Sequence, residues 1–153
     1  MLTRDAMLAW VHFLCIFSLA SLLACEIALL RAALPAGALR RLQSLDRWYG
    51  IVAGLVIASG LARLFLGPKG PAFYAHNPVF WTKMALFVIV ALISIAPTLT
   101  FIRWSARAAS DGSLQLEAAE FTRVRTLLWV QVAVFAFIPL CAALMARGIG
   151  LGT

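Results

Sequence analysis

The chain has 153 residues, 63% of them hydrophobic and 12% charged, whereas a soluble domain is roughly 45–50% apolar and 25% charged. These figures exclude a soluble enzyme, a disordered chain and a disulfide scaffold, and they identify an integral membrane protein with the length of one domain. The excess of 13 Lys+Arg over 6 Asp+Glu flanks the apolar runs, which is the pattern of membrane topology and not of nucleic-acid binding.

The first apolar run covers residues 6–30. Within it, Leu22-Leu23-Ala24-Cys25 resembles a lipoprotein cleavage box. The run is too long for a signal peptide and Arg4 is offset by Asp5, so it reads as a membrane span. A basic loop over 31–47 leads to a second span, 48–66. This span carries Gly50, Ala53, Gly54, Ala58, Ser59 and Gly60, a close-approach surface for a neighbouring helix or a flat ligand. Residues 67–79 are rich in Gly and Pro and read as a loop. The third span is 80–102. A second basic loop, 103–125, is predicted to hold a short helix over 114–125 capped by Ser113, and the fourth span is 126–145. Pro97 and Pro139 are expected to kink their helices. The fold class is therefore all-α: an integral membrane bundle of four transmembrane helices.

Counting Lys and Arg sets the direction. The loops 31–47 and 103–125 hold Arg31, Arg40, Arg41, Arg47, Arg103, Arg107, Arg123 and Arg125, against Arg4, Lys69 and Arg147 on the other side. Both termini are expected on the outer, periplasmic side of a bacterial inner membrane. Trp10 and Trp81 fall near outer ends and Trp48, Trp104 and Trp129 near inner ends, as interfacial aromatic belts do.

Ionisable groups inside a span are costly and need a reason. His12, Glu26, Arg63 and Lys83 stand out. At ~1.5 Å per residue, His12, Arg63 and Lys83 all lie within about 9 Å of the outer helix ends. Two cations without a matching acid at their depth call for an anion, although long basic side chains near helix ends also snorkel to the headgroups. A neutral imidazole is a good metal ligand. A haem meets both needs: its propionates suit Arg63 and Lys83, and its iron suits His12. His12, Leu19 and Glu26 share one face of the first span, with Glu26 near the inner side, there to pair with Arg47 or Arg125 or to serve as a proton site. Tyr74 and His76 in the outer loop could cover the site. Met7 and Met84 are candidate sixth ligands. Together with Cys15 and the two histidines they could also hold Cu(I), but they form no compact motif.

Trp10-Val-His12 in the first span, Arg63 closing the Gly-rich second span and Trp81-Thr-Lys83 opening the third resemble the CopD-like superfamily of bacterial membrane proteins. Over its whole length the chain is similar to a branch of that superfamily known only as predicted membrane proteins, and more distantly to the HemJ-type protoporphyrinogen oxidases. That resemblance implies haem b, with His12 as axial ligand and Lys83 and Trp81 at the haem or substrate site. The loop Gly67-Pro68-Lys69-Gly70-Pro71 departs from the oxidase pattern.

The resulting expectation is a membrane b-type haem protein with the haem near the outer leaflet. It would transfer electrons or oxidise a quinol or porphyrinogen, with His12 on iron and Arg63, Lys83 and Trp81 around the cofactor. The alternative is a cofactor-free subunit or assembly factor of a larger membrane complex. The expected partners are the bilayer, a quinone or porphyrin substrate, and further copies or subunits, without nucleic acid.

Overall fold

The computed structural model describes residues 2–68, 70–111 and 113–149. Lys69, counted above among the outer cations, lies outside the described residues. Long apolar stretches satisfy their own backbone groups only as helices when no water is available, and four long helices follow: α1 (Leu2–Leu29), α2 (Ala36–Leu66), α4 (Pro78–Asp111) and α5 (Ala118–Ala146). A short helix, α3 (Gly70–Ala75), lies between α2 and α4. All four long helices are long and apolar enough to cross a membrane. Their outward faces carry large apolar side chains such as Phe17, Phe65 and Leu92, each more than 60% exposed, a surface that requires lipid rather than water.

The helices extend beyond the predicted spans mainly at the end where α1 meets α2. Residues 36–47, expected as loop, are the first turns of α2, and α4 continues to Asp111. The predicted short helix over 114–125 is not separate and is not capped by Ser113: residues 118–125 are the first turns of α5. Ser113–Gln115 is instead a strand, β2, paired antiparallel with β1 (Ala33–Pro35) in the register Ala33↔Gln115, Leu34↔Leu114 and Pro35↔Ser113. This two-stranded ribbon ties the α1–α2 connection to the α4–α5 connection, and we call that end of the molecule the ribbon end and the opposite one the terminal end. The loop 67–79 is helical in its centre, as α3. Helices α4 and α5 continue through Pro97 and Pro139.

The most extensive packing joins α1 to α2 and α4 to α5. Helix α2 then packs on α4, and α1 meets α5 only sparingly. Leu19, Leu23, Leu34, Leu39, Leu42, Phe101 and Trp104 form the core, concentrated towards the ribbon end. Gln43 donates to the Phe101 carbonyl across α2 and α4 (3.3 Å), and Arg107 pairs with Glu120 across α4 and α5 (2.9 Å). At the terminal end, fully buried Asn77 caps α4 by accepting from Val79 N–H (2.8 Å), and Pro78 occupies the first helical turn, where its missing N–H costs nothing. Four of the five tryptophans are more than half exposed, as an interfacial belt requires, but Trp104 is fully buried against Phe101.

One polar contact crosses the bundle centre: Gln131 of α5 donates to the Tyr49 hydroxyl of α2 (2.7 Å), and both side chains are buried. Tyr49→Phe would strip that buried amide of its partner. We expect a loss of about 1–3 kcal/mol, measurable as a lower midpoint in detergent-titration unfolding. Tyr74→Phe at the terminal end serves as the control and should change little.

Candidate functional site

At the terminal end, α1, α2, α4 and α5 surround a cavity of about 300 Å³, and α3 closes over it. His12, Arg63 and Lys83 all line it, so the three groups singled out from different spans do meet. Trp81 does not line it. Its ring is exposed, and its indole N–H donates to the Ala75 carbonyl (2.9 Å), fastening α3 to the start of α4. This placement is outside the cofactor-site position expected for Trp81.

The His12 geometry has a chemical consequence. Ser59 has one hydroxyl proton, directed at the Leu55 carbonyl one turn back (2.7 Å). Its oxygen lies 2.8 Å from His12 Nδ1 and, with the hydroxyl proton so directed, can accept from an Nδ1–H. With the proton on Nδ1, the lone pair is on Nε2, the tautomer that binds a metal. Gly60 makes this position possible: a Cβ at residue 60 would approach His12 Cε1 to 3.3 Å, so any larger side chain must push the ring away.

The two cations are held against aromatic rings. The Arg63 guanidinium sits 5.9 Å from the centre of the Phe13 ring and the Lys83 ammonium 5.5 Å from that of Phe80. Such contacts are worth about 0.5–2 kcal/mol and neutralise no charge. Buried Arg63 Nε has no hydrogen-bond partner. Among the described residues neither cation has a carboxylate within ion-pair distance; the ion pair found there is Arg107–Glu120. Asp5 of α1 nevertheless lines the same cavity, which corrects the expectation that no acid stands at this depth. Asp5 and His12 are seven residues apart, two turns on one helix face, so the signal was present in the sequence.

Met145 of α5 is the residue that sequence reasoning missed. It is buried and lines the cavity, whereas Met7, a predicted sixth ligand, is 57% exposed. The facing of α5 shows no periodic signal in the sequence, because its buried positions, Gln131 apart, are as apolar as its lipid-facing ones. Tyr74 reaches the cavity, and His76 remains exposed with its Nδ1 2.7 Å from the Ala72 carbonyl. The small residues of α2 do not form one surface: Ser59 and Gly60 face inward at His12, whereas Gly54 and Ala58 are exposed. Among the described residues no group of three or more His, Cys, Asp or Glu side chains is placed to hold a bare metal ion.

The family described as "Predicted membrane protein (DUF2214)" matches residues 4–150, and the chain belongs to that family. Comparison with curated proteins and with solved structures gives no significant match.

Proposed function

Taking this family of predicted membrane proteins as the premise, we propose that the chain is a b-type haem-binding redox protein whose site is the terminal-end cavity. The observation that carries the reading is the meeting of His12, hydrogen-bonded to Ser59 through Nδ1 so that Nε2 can serve as a ligand, with two cations that have no carboxylate within ion-pair distance among the described residues. The donor set suits a haem: His12 would hold the iron, Arg63 and Lys83 would take the propionates, and the Met145 thioether would be a further soft donor in the same cavity. A volume of about 300 Å³ is at the low end for ligand cavities. When bound, the haem supplies one-electron chemistry, while the chain positions it and keeps water out with Phe73, Phe80 and α3.

The test is an absorption spectrum of the detergent-purified protein, expressed with ample haem supply, before and after dithionite. A Soret band with α and β bands that sharpen on reduction supports the reading. A featureless spectrum overturns it and moves attention to a cofactor-free subunit of a membrane complex.

From the eight arginines towards the ribbon end we infer that this end faces the cytoplasm and both termini the periplasm of a bacterial inner membrane. Alkaline phosphatase fused behind the fourth span is then expected to be active, and green fluorescent protein at the same point dark. The reverse pattern would invert the orientation.

A further inference from the structure

The ribbon end holds a second polar cluster, to which all four long helices contribute: Glu26 from α1, Asp46 and Tyr49 from α2, Thr98 from α4 and Gln131 from α5. Sequence reasoning noticed only Glu26, and expected Arg47 or Arg125 as its partner. Neither pairs with it: among the described residues no cation lies within ion-pair distance of Glu26, and the Arg125 guanidinium stacks over Phe121. Glu26 is 2% exposed and its Oε1 has no hydrogen-bond partner. Gln131 is 1% exposed, and its Oε1 is likewise unpartnered. Because the Gln131 amide nitrogen is held 2.7 Å from the Tyr49 hydroxyl, its carbonyl sits at the cluster. Asp46 accepts from Thr98 Oγ1 at 2.7 Å.

A cavity of about 230 Å³ adjoins the cluster, lined on its polar side by Asp46, Tyr49, Ser94 and Thr98 and reaching exposed Arg47. It has room for several waters. Two carboxyls and an amide oxygen, without a cationic partner inside a membrane span, call for something positive or for a donor. The remaining walls, Leu19, Ala53, Phe87 and Val90, are hydrocarbon, which suits neither a hydrated metal cation nor a stripped one. A proton meets the need without an ion's dehydration cost.

We propose that Glu26 and Asp46 form an exchangeable proton-binding site at the ribbon end, filled from the adjacent aqueous phase by way of Asp46, the carboxyl that lines this cavity. Uptake converts a carboxylate and a hydronium ion into a carboxylic acid and a water molecule; release is the reverse. The groups facing the site are Asp46, Tyr49 and Arg47 on α2, neutral Ser94 and Thr98 on α4, and neutral Gln131 on α5. The site stands independently of haem at the other end.

The test is infrared difference spectroscopy of the purified full-length chain between two pH values, in H₂O and D₂O and in choline chloride. The expected result is a carboxylic-acid carbonyl band that shifts in D₂O, disappears as the pH rises, and is lost in Glu26→Gln, a nearly isosteric change. Asp46→Asn, a second and separately folding variant, should shift or weaken the band. The proposal is overturned if the wild type shows no such band, if the band survives in both variants, or if sodium chloride in place of choline chloride removes it, which would assign the site to sodium.

Discussion

On the proposed haem reading, replacing His12 by alanine is expected to abolish the Soret band that this reading requires while leaving the helix content unchanged. The imidazole is the only histidine ring at the cavity among the described residues, since His76 is exposed and turned to its own helix. Loss of the ligand therefore leaves at most the Met145 thioether, which alone holds haem iron poorly. The fold should tolerate the change. His12 contacts Ser59 and the Gly60 surface, and Ser59 keeps its bond to the Leu55 carbonyl without it. Ser59→Ala is the graded companion. It removes the hydroxyl that holds the ring through Nδ1, and orienting partners of this kind typically change ligand affinity about 10–100-fold. Haem occupancy should fall without vanishing. Full retention of the Soret band in His12→Ala would remove the imidazole from the proposal.

The second large effect is on stability. Trp104→Ala is expected to cost about 3–5 kcal/mol, the usual range for deleting a buried aromatic side chain. Trp104 is fully buried, packs 5.7 Å from Phe101 and belongs to the cluster that binds α4 to the ribbon end of the bundle. Its indole N–H has no hydrogen-bond partner, so the loss is one of packing and not of a polar contact. Trp104→Phe keeps most of the ring contact, removes the unpartnered donor, and should cost much less. Trp48→Ala and Trp129→Ala, at sites more than half exposed to the surroundings, are the controls and should move the unfolding midpoint little. Equal effects at all three tryptophans would mean that Trp104 is not part of the core.

The number and chain positions of the four spanning helices were legible because burial in hydrocarbon leaves a crude signal: about 20 apolar residues in a row. Their ends at the ribbon end were not. Residues 36–47 read as a basic loop because arginine density marks the membrane boundary, whereas a helix continues past that boundary wherever its backbone bonds hold. The β1–β2 ribbon was invisible for a related reason. Three-residue strands such as Ala33–Pro35 and Ser113–Gln115 have no intrinsic preference to pair, and form only when two distant connections are brought side by side. At the terminal end, His12, Arg63 and Lys83 could be grouped by depth alone, since each stands out against its apolar surroundings. Asp46 and Gln131 escaped notice because one fell in the supposed loop and an uncharged amide in a span attracts little attention.

By itself the sequence determined the membrane class, the four crossings and the level at which three ionisable groups lie, because all three follow from hydrophobicity counted along one dimension. Only the tertiary structure decided which side chains turn towards one another around the helix axes. In spans that are apolar on every face, rotation leaves no trace in the residue pattern, and packing alone placed Ser59 on His12, Met145 in the cavity, Trp81 outside it and Gln131 on Tyr49.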